Sequence, residues 1–204
     1  MGRHDLASTA GYAEAAAALT GQYESITFED VHRDMLPLFP LPPSRVLDIG
    51  AGTGRDAAAL AARGHAVTAV EPTWELREYG RRLHAAAGIH WIDDMLPILA
   101  QVGANPDRFD LILLTAVWMH LDEAERGAGM ARLAELVAPA GLVILSLRHG
   151  PVPAGRRMFA VSGDETEALA SRHGLVTARR TERDDALGRG DVRWTFLALR
   201  AKAV

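Results

Sequence analysis

The sequence predicts an α/β fold: a doubly wound, mostly parallel seven-stranded sheet with an antiparallel last strand and an N-terminal helical cap. Three observations predict it. Hydrophobic periodicity switches repeatedly between strand and helix from residue 44 to 148, at the short spacing of strands joined by crossover helices. The run FDLILLTA (109–116) is continuously apolar, as expected of a central strand covered on both faces. The tail instead offers two strands with only a loop between them, so one must run back against its neighbour.

Taken in order, SRVLDIG (44–50) is a short apolar strand running into glycine. RDAAALAARGH (55–65) holds good helix formers and is closed by Gly64. AVTAVEP (66–72) is β-branched and ends at an acid before proline, and TWELREYGRRLHAAAG (73–88) is helical. IHWID (89–93) is a brief strand. LDEAERGAGMARLAELVAPAG (121–141) reads as a helix with an acidic first turn and a Pro/Gly end, followed by the strand LVILSLR (142–148). A helix at 164–174 precedes strands at 175–183 and 191–199. Residues 1–43, closing with PLFPLPP, read as one or two helices and a Pro-rich lead-in. The expected organisation is one domain over 1–204, with 1–44 as a helical cap or lid and 45–204 as the core.

Composition narrows the function. At 204 residues, 49% hydrophobic and 24% charged, the chain can bury a substantial core. It has no cysteine, which excludes disulfides, thiolate metal sites and a Cys nucleophile. No apolar run approaches the ~20 residues that span a bilayer. The N-terminal stretch MGRHDLASTAGYAEAAAALTGQY lacks the apolar core of a secretory signal, so a cytoplasmic location is expected. A net charge of −4 argues against generic nucleic-acid binding. Charge is uneven, however: from Arg148 onward there are 11 Lys and Arg against 7 Asp and Glu. That basic third suits either a solvated face or an anionic substrate. Basic residues are almost all arginine, with Lys202 alone, as in a bacterial GC-rich genome.

The stretch VLDIGAGTGRD (46–56) carries the chemistry. Glycines between a strand and a helix let the backbone turn tightly and approach a ligand at the helix N-terminus. A dinucleotide fingerprint needs G-x-G-x-x-G, but position 55 is Arg55, and no G-K-[ST] follows for a P-loop. Asp48, at the strand end, would repel a pyrophosphate; it would favour a cationic ligand or hold the loop by accepting backbone amides.

VLDIGAGTG resembles the first motif of the class I, Rossmann-like S-adenosylmethionine (SAM)-dependent methyltransferases, an apolar strand followed by D/E-x-G-x-G-x-G. Further landmarks extend the resemblance over about 45–147. It implies that Asp48, Gly50, Ala51, Gly52 and Gly54 cradle the amino-acid end and ribose of SAM. Glu71 would accept the ribose hydroxyls, with Pro72 beside the adenine. Asp94, with Asp93 as the neighbouring alternative, would accept the adenine amine while Met95 serves a ring nitrogen through its backbone. Leu114 and Thr115 would give backbone contacts to the methionine end. A methyl group would pass from SAM to an O or N nucleophile of a small-molecule acceptor, leaving S-adenosylhomocysteine (SAH).

Trp118 and His120 would sit near the sulfonium–substrate junction. His120 or His149 would act as general base, since histidine titrates near neutral pH. Arg148 and His149, at the mouth of the fifth strand, would bind or activate the substrate. Tyr23, and Tyr12 beside it in the sequence order of the cap, would either touch substrate or pack. No metal set stands at ligand spacing. The family's nucleic-acid amino-methyltransferases carry N/D-P-P-Y/F after the fourth strand, where this chain reads TAVWMH. Methylation of a protein side chain or terminus, a non-catalytic SAM-binding role and a nicotinamide-dependent oxidoreductase remain the rival readings. Oligomeric state is not legible.

Overall fold

The structure is a computed structural model and describes residues 9–102 and 108–202. Seven strands form one sheet in the order β3-β2-β1-β4-β5-β7-β6. The apolar stretches expected as parallel strands become β1 (Arg45–Ile49), β2 (Ala66–Val70), β3 (His90–Ile92), β4 (Phe109–Leu114) and β5 (Val137–His149). All of these pair in parallel. The last strand, β7 (Arg193–Ala201), inserts between β5 and β6 (Leu175–Asp184) and is antiparallel to both.

Side-chain alternation along the strands sorts the core into two layers. Leu47 and Ile49 of β1, Ile112 and Leu114 of β4, and Val143, Leu145 and Leu147 of β5 pack on one face. Met130, Leu133 and Leu136 of α5 (Glu123–Leu136) and Ala170 of α6 (Gly163–Arg172) cover that face. Val46, Leu111, Leu113, Leu142 and Ile144 point the other way. They meet Phe28 of α2 (Phe28–His32) and Ala57 and Leu60 of α3 (Arg55–Ala62). Two further helices, α1 (Tyr12–Glu24) and α4 (Trp74–Leu83), pack against each other.

Among the boundaries that differ from the sequence reading, one has a clear cause. The helix expected to run to 141 ends at Leu136, and β5 starts five residues early at Val137. Pro139 lacks the amide hydrogen a continuing helix needs and restricts Ala138 to extended backbone. Val137 therefore pairs with Phe109, the register shifts over APAG, and Leu142 resumes opposite Leu111. The helix start is fixed by a capping box in which Asp122 accepts the Glu125 amide and Glu125 accepts the Asp122 amide.

No helix among the described residues is long and apolar enough to cross a membrane. The reading of the N-terminal stretch as lacking a signal falls partly on residues 1–8, outside the described ones.

Two glycines expose how tightly the loop end of the sheet is packed. Gly54 (φ 85°) precedes α3, and a Cβ there would stand 2.7 Å from the Trp91 ring. Gly80 lies inside α4, where Ala would ordinarily be favoured by roughly 1 kcal/mol. A Cβ at Gly80, however, would lie 2.6 Å from the Thr53 carbonyl oxygen and 2.5 Å from Trp91. Overpacking costs about 1–3 kcal/mol and wins. Gly80→Ala is therefore expected to lower the melting temperature, by about 2–4 °C per kcal/mol in a chain this size. Gly21→Ala in α1, where nothing lies within 4 Å of a new Cβ, is expected to raise it. Thermal denaturation of both variants checks the opposite signs.

Candidate functional site

The C-terminal ends of the parallel strands surround a cavity of about 430 Å³. The loop after β1 forms its floor. Gly50 and Gly52 hold positive φ, 67° and 58°. A Cβ on Gly50 would come within 2.5 Å of Val117, and one on Gly52 within 3.3 Å of the Tyr23 ring. The loop is thus glycine both for its turn and for the close approach of α1 above it. Arg55 reaches back to the Tyr23 carbonyl at 3.3 Å, and Thr53 donates to Glu24 at 2.6 Å.

Acids gather at this end. Glu71, buried at the tip of β2, accepts the Gly52 amide at 2.8 Å and the Thr73 amide at 2.7 Å. Burial raises its carboxyl above the usual range against the pull of those bonds. Asp56, at the start of α3, accepts from Arg55 at 2.7 Å and Thr115 at 2.8 Å and pairs with His32 at 2.8 Å. Burial works against ionisation there, but His32 and Arg55 win and hold the carboxyl far below its ordinary value. Asp48 differs: its Oδ2 is buried with no hydrogen-bond partner. Burial, then the negative charge of Asp56, hold the Asp48 carboxyl well above the carboxylate range. A buried carboxyl short of a partner beside a charged one fits a cationic ligand that supplies the missing charge. The glycine loop, Asp48 and Glu71 could together hold a cofactor of that kind.

Across the cavity, the turn after β4 presents His120. Its Nδ1 lies 2.8 Å from the Arg157 carbonyl oxygen, which can only accept, so Nδ1 carries the proton in the neutral ring. Nε2 is then free to accept from the Tyr12 hydroxyl at 2.9 Å. Burial pushes the His120 pKa down; the Arg157 carbonyl opposes this, and the charges of Arg156, Arg157 and Arg148 add to it. Arg157 is fixed in turn. It donates to the His120 carbonyl and Glu125, both at 2.8 Å, and to Asp122 at 3.0 Å, the two residues of the α5 capping box.

Of the residues expected from sequence, the cavity brings together Asp48, Gly50, Ala51 and Gly52 with Glu71 and Pro72. Met95, Thr115, His120, Arg148 and Tyr23 also line it. Five residues do not. Gly54 packs against Trp91 instead. Leu114 lies in the core beneath. Trp118 is fully buried among apolar side chains and faces no ligand space. Asp94 stands off the cavity lining, and its oxygens accept backbone amides, Met95 at 2.9 Å on one and Gln101 at 2.7 Å on the other. His149 is the plainest correction. It neighbours Arg148 on a strand, so the two side chains leave opposite faces. Arg148 lines the cavity, whereas His149 Nε2 meets the Thr195 hydroxyl at 2.8 Å.

Sequence reasoning missed several lining residues. Asp56 was in plain view, two positions beyond the glycines. Trp194 and Phe196 reach the cavity because β7 pairs antiparallel with β5, setting them opposite Arg148 and Ser146. The Thr115 contribution is its hydroxyl on Asp56. Ala116, beside it, adopts φ 60°, uncommon for a residue with a side chain, and donates its amide to Ser146 at 2.9 Å. Among the described residues no cluster of His, Asp or Glu is placed to hold a metal ion.

Residues 46–141 match the family model described as a methyltransferase domain. The chain is 31% identical over 121 residues to a demethylmenaquinone methyltransferase of Clavibacter sepedonicus, covering 59% of this chain and 48% of that protein. It spans about half the length of the first curated relatives it matches. A magnesium protoporphyrin IX methyltransferase of Synechocystis, solved with bound SAM, superposes with TM-score 0.67 at 15% identity, over 94% of this chain and 85% of that one. So does a 1,6-didemethyltoxoflavin N1-methyltransferase of Burkholderia thailandensis, solved with its substrate and SAH, with TM-score 0.63 at 20% identity, over 93% and 89%. Residues 46–141 thus resemble a methyltransferase domain, and the chain shares the fold of solved SAM- and SAH-bound methyltransferases.

Proposed function

We propose that this chain is a SAM-dependent methyltransferase acting on an O or N nucleophile of a small molecule, with 1–204 as one domain and 1–44 as its lid. One observation carries the reading. A single cavity sets an acid-rich, glycine-floored end against a neutral, hydrogen-bonded histidine. Its size suits a small ligand, since such sites occupy ~300–1,000 Å³. SAM, when bound, supplies a methyl group on a sulfonium, an excellent leaving group. The relatives named for menaquinone, porphyrin and toxoflavin precursors support a small acceptor.

The chain's own residues then have distinct tasks. Asp56, and Asp48 once a bound cation lets it ionise, would supply the negative field that a sulfonium and an ammonium group need. Glu71, with both oxygens already on backbone amides, keeps lone pairs for a ribose, because a carboxylate offers about four acceptor sites. Tyr23 and α1 close over the loop and exclude water. His120 takes the proton of the acceptor at Nε2, the position now occupied by the Tyr12 hydroxyl. A pKa below the ordinary value keeps that nitrogen unprotonated at neutral pH. The reaction thus ends with the acceptor methylated and one proton on His120. Arg157 acts as a positioning residue through its carbonyl.

Calorimetry should show SAH binding and no binding of NAD(H). Glu71→Ala should weaken SAH by at least about 10-fold, since charge-assisted bonds are worth ~1.5–3 kcal/mol each. Unchanged affinity would remove the cofactor assignment. Methyl label from SAM, offered to a size-fractionated bacterial extract, is expected in the low-mass fraction. Label on protein would overturn the acceptor class.

His120→Ala is expected to lower turnover by ~10²–10⁴-fold while leaving SAH affinity intact. Because the His120 pKa is depressed, protonation removes the base only in acid. Activity should rise with pH through a midpoint below 6.5 and be flat above it. An acid limb unchanged in His120→Ala would exclude His120 as the base.

A further inference from the structure

The end of the cavity away from the acids is basic. Arg148 of β5, Arg156 of the following loop, Arg183 of β6 and Arg189 of the β6–β7 turn all line it. Two of these charges are already answered. Arg189 makes a two-pronged pair with Asp185, Nε at 2.9 Å and Nη2 at 2.7 Å, and the Trp194 indole donates to the same carboxylate at 2.8 Å. Arg183 donates to the carbonyls of Asp30 and Val31 and lies 3.6 Å from the Asp34 carboxylate.

Arg148 and Arg156 are not answered. Among the described residues neither has a carboxylate in ion-pair range. Arg148 makes one hydrogen bond, to the Pro151 carbonyl at 2.8 Å. Arg156 makes one, to the Ala10 carbonyl at 3.3 Å, and lies 3.6 Å over the Tyr12 ring. A guanidinium has five N–H donors, so most of theirs lack a protein acceptor. Burial and then the Arg189 guanidinium disfavour the Arg148 cation, while Asp185 and Asp191 offset them only from beyond ion-pair range. The charges of Arg148 and Arg156 also reach Tyr12 and His120, which places them next to the proposed base. Trp194, opposite Arg148 across the β5–β7 pairing, offers an aromatic face on the same wall.

From the cavity lining, the two unanswered guanidiniums and the aromatic wall, we propose that the acceptor is a small aromatic acid whose anionic group is held by Arg148 and Arg156, with its nucleophile at His120. The inference rests on the reading of this cavity as a methyl-transfer site and adds the acceptor's chemical class. A guanidinium fork matches carboxylate or phosphate oxygens in pairs, and an anion there supplies the missing counter-charge. Arg148 and Arg156 are substrate-binding residues, separate from the acids of the cofactor end.

The test uses matched probes on the full chain, by calorimetry with and without saturating SAH. The pairs are 4-hydroxybenzoate with 4-hydroxybenzamide, 4-hydroxyphenylacetate with its amide, and phenyl phosphate with phenol. At least one anion should bind about tenfold or more tighter than its neutral partner. Whether the carboxylates or the phosphate show it identifies the anion. In Arg148→Gln/Arg156→Gln the preference should fall below about threefold with SAH affinity unchanged. Arg156→Lys, which keeps the charge, should retain part of it. The proposal is overturned if no anion outbinds its neutral partner in the native chain, a result independent of how the variants fold. It is also overturned if the preference survives in a folded double variant. If SAH fails to bind while the anion preference persists, the methyl-transfer reading falls and the anion subsite stands.

Discussion

The Asp56 carboxylate is the interaction on which the rest of the site depends. It joins three pieces of chain that sequence separates: His32 of α2, Arg55 at the start of α3, and Thr115 at the end of β4. All lie at one end of the sheet, and His32 and Asp56 are almost fully buried. A carboxylate so deep is stable only while its partners stay, and removing one partner of such a pair typically costs ~3–5 kcal/mol. The constraint runs outward from there. Fixing Thr115 fixes the turn that carries His120, and fixing His32 seats α2 against the core under α3. Burial first, and the same charge second, disfavour ionisation of the neighbouring Asp48.

That field gives the cavity its polarity. Carboxyls cluster where β1 and β2 end, and guanidiniums where β5 and β6 end and β7 begins. In water such charges would be screened within about 8–10 Å, but partly buried charges are screened much less. On the proposed reading, a cationic group and an anionic group entering one cavity would thereby be sorted to opposite ends. Orientation of this kind brings reacting atoms together before any proton moves, which is where much of a transfer enzyme's advantage arises.

The core was legible because its signals are local. The first three parallel strands are short runs ending in glycine or acid, the next two are continuous apolar runs, and the loop VLDIGAGTG announces its turn in one stretch. Glu71 was legible for the same reason, as an acid closing a β-branched strand. What stayed hidden depends on non-local pairing. Nothing in the tail states that β7 slots between β5 and β6, so Trp194 and Phe196 could not be placed on the cavity wall. Asp94 stands off the cavity wall, because an acid after a strand serves a loop's amides as readily as a ligand. Trp118, an aromatic after a strand, met the core.

His149 was hidden for a different reason. The apolar run 142–148 stops one residue short of it, whereas β5 continues through His149, so period-two alternation sends Arg148 and His149 to opposite faces. Choosing between two histidines at strand ends is then a question of faces, and His120 sits on a turn where no such alternation applies. Its orientation is set by a chain of contacts that begins at the capping box of α5. Asp122 and Glu125 each bond a helix amide and still accept from Arg157. Arg157 in turn offers its carbonyl to Nδ1. A helix cap, ordinarily worth ~1 kcal/mol of stability, here also fixes which imidazole nitrogen faces the cavity.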